Sequence, residues 1–278
     1  MKRILVPTDF SECADYAAQV ALDFAKKAKA EIHFLHLMSI PIDWINMTSN
    51  QEKLYPDITK KVKKVNVRLD ELVEKAEKEG VSAKRYIHYS ERYINIIDHL
   101  EKYDCDFIVM GSHGTSGVKE LFIGSTTQKI VRLSSAPVFV VKSTSKPLKL
   151  SKIIFASDFE KDMLESFEQV LNFAKLNDAR LNLLYLVTPL NFIDTEKIKE
   201  KMSIFKDRAG VLLDTSEIYN CFDIEDGLKK YSNQINADAV AMVTHGRRSI
   251  ARLITGSFTE NVINHLDIPV LSINIHYS

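Results

Sequence analysis

The sequence predicts an α/β protein made of two tandem doubly wound domains, each a five-stranded parallel sheet flanked by helices. Three observations lead there. Short β-branched runs alternate with stretches of helical apolar spacing, the order that builds a parallel sheet covered on both faces. The chain also repeats itself. At a shift of 132 positions, Cys105–Phe139 falls on Ala237–Leu271 without a gap; at a shift of 149, Arg3–Phe10 falls on Lys152–Phe159. Finally, a glycine-bearing loop stands at the same place in each copy, between an apolar run and a helix start. The two shifts differ because the first copy is longer in its middle. Copies of roughly 140 residues have the size of domains and are too long and too few for a solenoid. The expected domains are 1–144 and 150–278, with the Ser-Thr-Ser-Lys-Pro-Leu-Lys-Leu-Ser stretch from Ser143 to Ser151 as linker.

Each element has its own signal. Lys2–Pro7 is a β-branched strand. Ser11 is placed to cap a helix to about Lys29, whose inner face is small (Ala14, Ala17, Ala18, Ala21, Leu22, Ala25) and suits close packing on a sheet. Glu31–Met38 is a strand and 39–50 a loop that holds Trp44. Pro56 opens a helix with Ile58, Val62, Val65, Leu69, Leu72 and Ala76 at helical spacing, and Gly80 closes it. Val81–Tyr89 is a strand, and Ser90 is expected to cap a helix over 91–103. Phe107–Met110 is a buried strand, followed by the glycine loop, a helix to Leu133 and a strand over Pro137–Lys142. The second copy repeats this order with a compressed middle.

Composition excludes several classes. Of 278 residues, 45% are hydrophobic and 27% charged, and lysine plus arginine equals aspartate plus glutamate at 37 each. Balanced charge gives no footprint for nucleic acid or an anionic membrane. No apolar run approaches the ~20 residues of a membrane helix, and the chain starts directly as a strand without a signal peptide. Cys13, Cys105 and Cys221 are scattered and odd in number, as expected of reduced thiols in a cytoplasmic protein. No His-x3-His or Cys-x2-Cys pair occurs, so spacing points to no dedicated metal site.

The loop carries the chemistry. Gly111-Ser112-His113-Gly114, nine residues, then Gly124-Ser125 separate Phe107–Met110 from a helix that begins with Ser125, Thr126 and Thr127. Glycines let the main chain approach an anion, and the first helical turn leaves unpaired N–H donors at its positive end. In doubly wound sheets ligands bind beyond the carboxyl ends of the strands. Asp9 ends the first strand and Gly111 the fourth, which such a sheet sets side by side.

These residues resemble the universal stress protein family. Gly111-x2-Gly114-x9-Gly124-Ser125 is similar to that family's ATP-binding motif, Val6-Pro7-Thr8-Asp9-Phe10-Ser11 to its first-strand signature, and Phe107–Gly114 to its fourth. The resemblance covers both copies. It implies the adenine-nucleotide alpha-hydrolase-like sheet and bound ATP, any Mg²⁺ arriving with the nucleotide. Pro7, Thr8 and Asp9 would line the adenosine, with Leu37 after strand two; Gly111, Gly114, Gly124, Ser125 and Thr126 would hold the phosphates, and Met110 and His113 would complete the nucleotide site. It also implies pairing through the last strands, Pro137–Val141 against Pro269–Ile273, which makes one chain a pseudo-dimer and hides two sheet edges. Association of two chains and an unknown protein partner stay open.

The second copy departs. Val243 replaces the first motif glycine, Ala156 replaces Pro7, and Arg247 and Arg248 follow Gly246. Valine cannot take a glycine-only conformation, although the arginines could donate to phosphates. This copy reads as degenerate, a weak site at most, with Asp158, Gly246, Gly256 and Ser257 retained. The expected function is an ATP-binding regulatory protein of the stress response and no enzyme beyond slow hydrolysis. No Gly-x4-Gly-Lys-[Ser/Thr] loop or convincing general base is present. The alternatives are a slow ATPase and an interaction module that binds no nucleotide.

Overall fold

The computed structural model describes all residues except 41–43, 91, 115–122, 143–146, 161–162, 211–214, 245–255 and 276–278, with the side chains of 45, 49 and 256–258 also left aside. The first half runs β1 (Arg3–Pro7), α1 (Glu12–Ala28), β2 (Glu31–Leu37), a 3₁₀ turn (Trp44–Asn46), α2 (Ser49–Glu52), α3 (Pro56–Lys78), β3 (Ala83–His88), α4 (Ile94–Lys102), β4 (Phe107–Gly111), α5 (Ser125–Leu133) and β5 (Val138–Val141). The second runs β6 (Lys152–Ala156), α6 (Leu164–Leu176), β7 (Arg180–Val187), α7 (Thr195–Ala209), β8 (Ser216–Asn220), α8 (Ile224–Ile235), β9 (Ala239–Thr244), α9 (Gly256–His265) and β10 (Val270–Asn274).

Local chemistry explains the boundaries. Ser11 caps α1, its hydroxyl accepting from the Ala14 N–H at 3.2 Å, and the helix ends on Lys29 in the left-handed conformation. Its alanine face is buried as expected. Pro56 sits in the first turn of α3, and Gly80 follows the helix with φ of +78°. Two expectations shift. The helix assigned a Ser90 cap begins only at Ile94, and Ser90 Oγ instead accepts from Arg92 N–H. The 39–50 loop contains the 3₁₀ turn, which buries Trp44, and leads into α2, opened by a reciprocal cap between Thr48 and Gln51.

All ten strands form one sheet in the order β3-β2-β1-β4-β5-β10-β9-β6-β7-β8. Within each half every pairing is parallel, while β5 and β10 meet antiparallel, with Leu271 opposite Phe139. The two last strands thus join inside one chain, at the expected place. Strand residues alternate between two apolar layers, as a period of two requires. Ile32 and Phe34 face the layer of α1, α3, α6 and α7; Leu35 faces that of α4, α5, α8 and α9. Both layers run through both halves.

The recurring Asp106 and Asp238 have a structural role. The Asp106 carboxylate accepts from the N–H groups of Lys2 and Arg3 at 2.7–3.0 Å, and Asp238 does the same for Ser151 and Lys152. Each pins the start of a half's first strand to its fourth. Asp106→Ala is expected to cost about 1–3 kcal/mol, read as a lower urea midpoint at unchanged m-value. An unchanged midpoint would mean that water satisfies those N–H groups equally well.

Candidate functional site

The strand order sets the carboxyl ends of β1 and β4 side by side. The turn after β1 is tight. Thr8 is buried, and its N–H donates to Leu35 O at 2.9 Å. Its hydroxyl accepts from the Phe10 N–H at 3.1 Å, and Asp9 Oδ1 accepts from the Ser11 N–H at 3.1 Å. Phe10 pays for this geometry with φ of +62°, a left-handed conformation that a bulky residue rarely adopts. Its ring is stacked on His36 at 4.7 Å, with the Arg68 guanidinium 5.4 Å from the ring centre. The same turn recurs after β6: Phe159 has φ of +56° and its N–H donates to Ser157 Oγ at 2.9 Å. Such strain persists only where surroundings over-determine it, commonly at binding sites. Here it fixes an aspartate at the sheet's carboxyl edge.

The glycine loop closes against that aspartate. A Cβ built on Gly114 would stand 2.1 Å from Asp9 Oδ2, so glycine lets the loop lie there with the Asp9 carboxylate in place. A Cβ on Gly111 would stand 2.8 Å from Cys13 Sγ, at the start of α1. Gly124 N–H donates to Ser112 O at 2.7 Å, which folds the far end of the motif back onto its beginning, and Thr127 Oγ1 donates to Gly111 O at 2.9 Å. Gly124 precedes α5 without a side-chain cap, and the first turn carries no acidic residue. Among the described residues no cap side chain takes up the N–H groups of that turn, the arrangement an anion site uses. Ser125 is exposed and Thr126 half-buried beside it.

Most of the expected residues come together. Pro7, Asp9, Gly111, His113, Gly114 and Gly124 are half-buried around one edge of the sheet. His113 Nδ1 is 3.0 Å from Ser112 Oγ. Met110 differs, because its side chain is buried in the α4–α5 layer and only its main chain is left for a ligand. Leu37 ends β2, one strand beyond β1. The loop is also tied to the other half: Ile123 N–H donates to Asn264 Oδ1 of α9, and Lys142 Nζ donates to Asn264 O at 3.1 Å.

In the second half, a cavity of ≈ 420 Å³ lies beyond the carboxyl ends of β6, β7 and β9. Ala156, Asp158, Tyr185, Asn191 and Met242 line it. Val243 is buried in β9, where the first half has Gly111. Gly246, with Arg247 and Arg248, lies outside the described residues; Gly256 and Ser257 begin α9.

A second constellation escapes motif reading. His33 of β2, His99 of α4 and Cys105 before β4 bring three ligand atoms within 4.8 Å of one another, all buried. They are 66 and 72 positions apart, so no local spacing betrays them. The one signal is His33 itself, a polar residue flanked by the apolar Ile32 and Phe34. Burial lowers the His33 and His99 pKa values, that of His99 to about 3, and pushes the Cys105 thiol up to about 12.

The fold and this edge define a class: tandem doubly wound α/β units with a glycine loop after the fourth strand. The universal stress protein family matches at residues 1–142 and 223–274, and the chain belongs to it. Over 145 residues it is 30% identical to universal stress protein YxiE of Bacillus subtilis, covering 50% of this chain and 98% of that one. It is 24% identical to universal stress protein Slr1230 of Synechocystis across 98% of this chain and 99% of the relative. A universal stress protein structure from Archaeoglobus fulgidus has the same fold, with a TM-score of 0.76 and 22% identity over 99% of this chain and 98% of the other. Among the described residues no helix is long and apolar enough to cross a membrane.

Proposed function

We propose that the first half, 1–144, binds ATP and that the protein is a nucleotide-binding regulator of the stress response. The observation that supports this reading most is the contact of Asp9 with Gly114, which sets a carboxylate against the glycine loop while Gly124 opens α5. Pro7, Thr8, Asp9 and Leu37 then face the adenosine. Gly111, His113, Gly114, Gly124, Ser125 and Thr126 face the phosphates, and Mg²⁺ enters on the nucleotide with mostly water and phosphate ligands. Hydrolysis is slow at most. The first turn of α5 brings no carboxylate, and His113 already has Ser112 as partner. The second half, 150–278, keeps an aspartate and a cavity but has valine at its strand end, so it binds more weakly.

The test is to purify the chain without added nucleotide, denature it, and identify and count what is released. About one ATP per chain is expected. Two per chain would show the second cavity to be a full site. None released, with no binding on adding ATP back, would leave an interaction module.

A further inference from the structure

We propose that His33, His99 and Cys105 form a binding site for a thiophilic closed-shell metal ion, Zn²⁺ or Cu⁺, remote from the glycine loop. His33 Nδ1 lies 3.1 Å from His99 Nε2, and Cys105 Sγ lies 3.7 Å from His33 Nδ1. An ion bound about 2.0–2.1 Å from nitrogen and about 2.3 Å from sulfur in tetrahedral geometry separates its ligands by about 3.3–3.6 Å. Two of the three pairs already stand near those separations, and all three atoms lie within 4.8 Å of one another. Two imidazoles with a thiolate are a soft to borderline donor set, which selects Zn²⁺ and Cu⁺ over Mg²⁺ or Ca²⁺.

The surroundings match a metal-bound state. With Nδ1 of His33 and Nε2 of His99 turned to the ion, each ring has one N–H left. His33 Nε2–H donates to Glu31 Oε1 at 2.8 Å, and His99 Nδ1–H faces His88 Nε2 at 3.4 Å. A carboxylate or other acceptor behind a ligating histidine fixes its tautomer and raises its basicity. The Tyr86 and Tyr103 rings stand 4.5 and 4.4 Å from His99 and wall the site. On binding, the Cys105 S–H bond breaks and its proton leaves to solvent, while sulfur donates the freed pair to the ion. The competing account is a hydrogen-bond relay without metal, His88 to His99 to His33 to Glu31.

The full chain is treated with chelator, equilibrated with Zn²⁺ or with Cu⁺ under reducing conditions, freed of excess by gel filtration, and assayed by plasma mass spectrometry. One ion per chain and a Tm above that of the chelated protein are expected. Retention of one ion and not the other supports the site and names its occupant. Cys105→Ser should retain almost none while its chelated Tm stays near wild type, and His88→Ala should weaken binding about 10- to 100-fold. Should Cys105→Ser fail to fold, cobalt loading of the wild type decides: a thiolate-to-cobalt absorption band supports the site and its absence overturns it. Retention of neither ion, or equal retention by Cys105→Ser, overturns the proposal in favour of the relay. Neither result bears on ATP binding, which is measured separately.

Discussion

Gly114→Ala is expected to lower ATP affinity about 10- to 100-fold while leaving the fold intact. The new Cβ would stand 2.1 Å from Asp9 Oδ2, a separation no pair of atoms tolerates. Asp9 must rotate away or the loop must lift, and either change removes one charged-group hydrogen bond, about 1.5–3 kcal/mol. Stability changes little, because the collision is with a half-buried side-chain tip at the protein's edge and Gly114 needs no positive φ. Gly124→Ala supplies the contrast. Among the described residues a Cβ there meets nothing nearer than 3.6 Å, and φ of −62° suits any residue. The apo protein should accept that methyl without loss, so any fall in affinity for Gly124→Ala reports the closeness of phosphate to the main chain. Isothermal titration of ATP against both variants, with urea melts alongside, reads the two effects. Wild-type affinity in Gly114→Ala would sink the placement of the nucleotide between Asp9 and the loop.

Phe173→Ala is expected to destabilise the whole chain by about 3–5 kcal/mol, the range for truncating a buried aromatic. Phe173 belongs to α6 of the second half, yet three of its ring partners belong to the first. Phe24, Phe107 and Phe139 lie 5.3, 5.7 and 5.3 Å away, and Phe24 in turn meets Phe139 edge-on at 5.2 Å. Such edge-to-face pairs add to the burial itself. With the β5–β10 seam, this makes one continuous core from two repeats. Calorimetry should therefore show a single transition in the wild type and one shifted down by roughly 10 °C in the variant. Two transitions, of which only one moves, would mean that the halves melt independently.

Much of this arrangement is legible in the residues. The alternation of Ile4, Val6 and Ile32, Phe34 with the alanine face of α1 depends on local periodicity, and periodicity survives in a single sequence. The glycine loop is legible because Gly111, Gly114 and Gly124 recur in a frame that a second copy partly repeats. What stays hidden is whatever depends on tertiary approach. That Gly114 lies against Asp9 follows from the β1–β4 pairing and from the turn that strains Phe10. The late start of α4 at Ile94 goes with Ser90 Oγ accepting from the Arg92 N–H, a local choice that spacing alone does not reveal. His33, His99 and Cys105 meet only because β2, α4 and the approach to β4 converge. No spacing rule reaches across 66 residues.

The antiparallel meeting of β5 and β10 sets all strands of one half running against all strands of the other. Their carboxyl ends accordingly open at opposite rims of the sheet, and no single small molecule bridges both. The molecule has two poles. Between them lies α9, a rod of ten residues and about 15 Å, which starts at Gly256 near one pole and, in its last turn, has Asn264 accepting from the Ile123 N–H at the other. The contact of α9 with the loop before α5 is thus a direct physical link between the two poles.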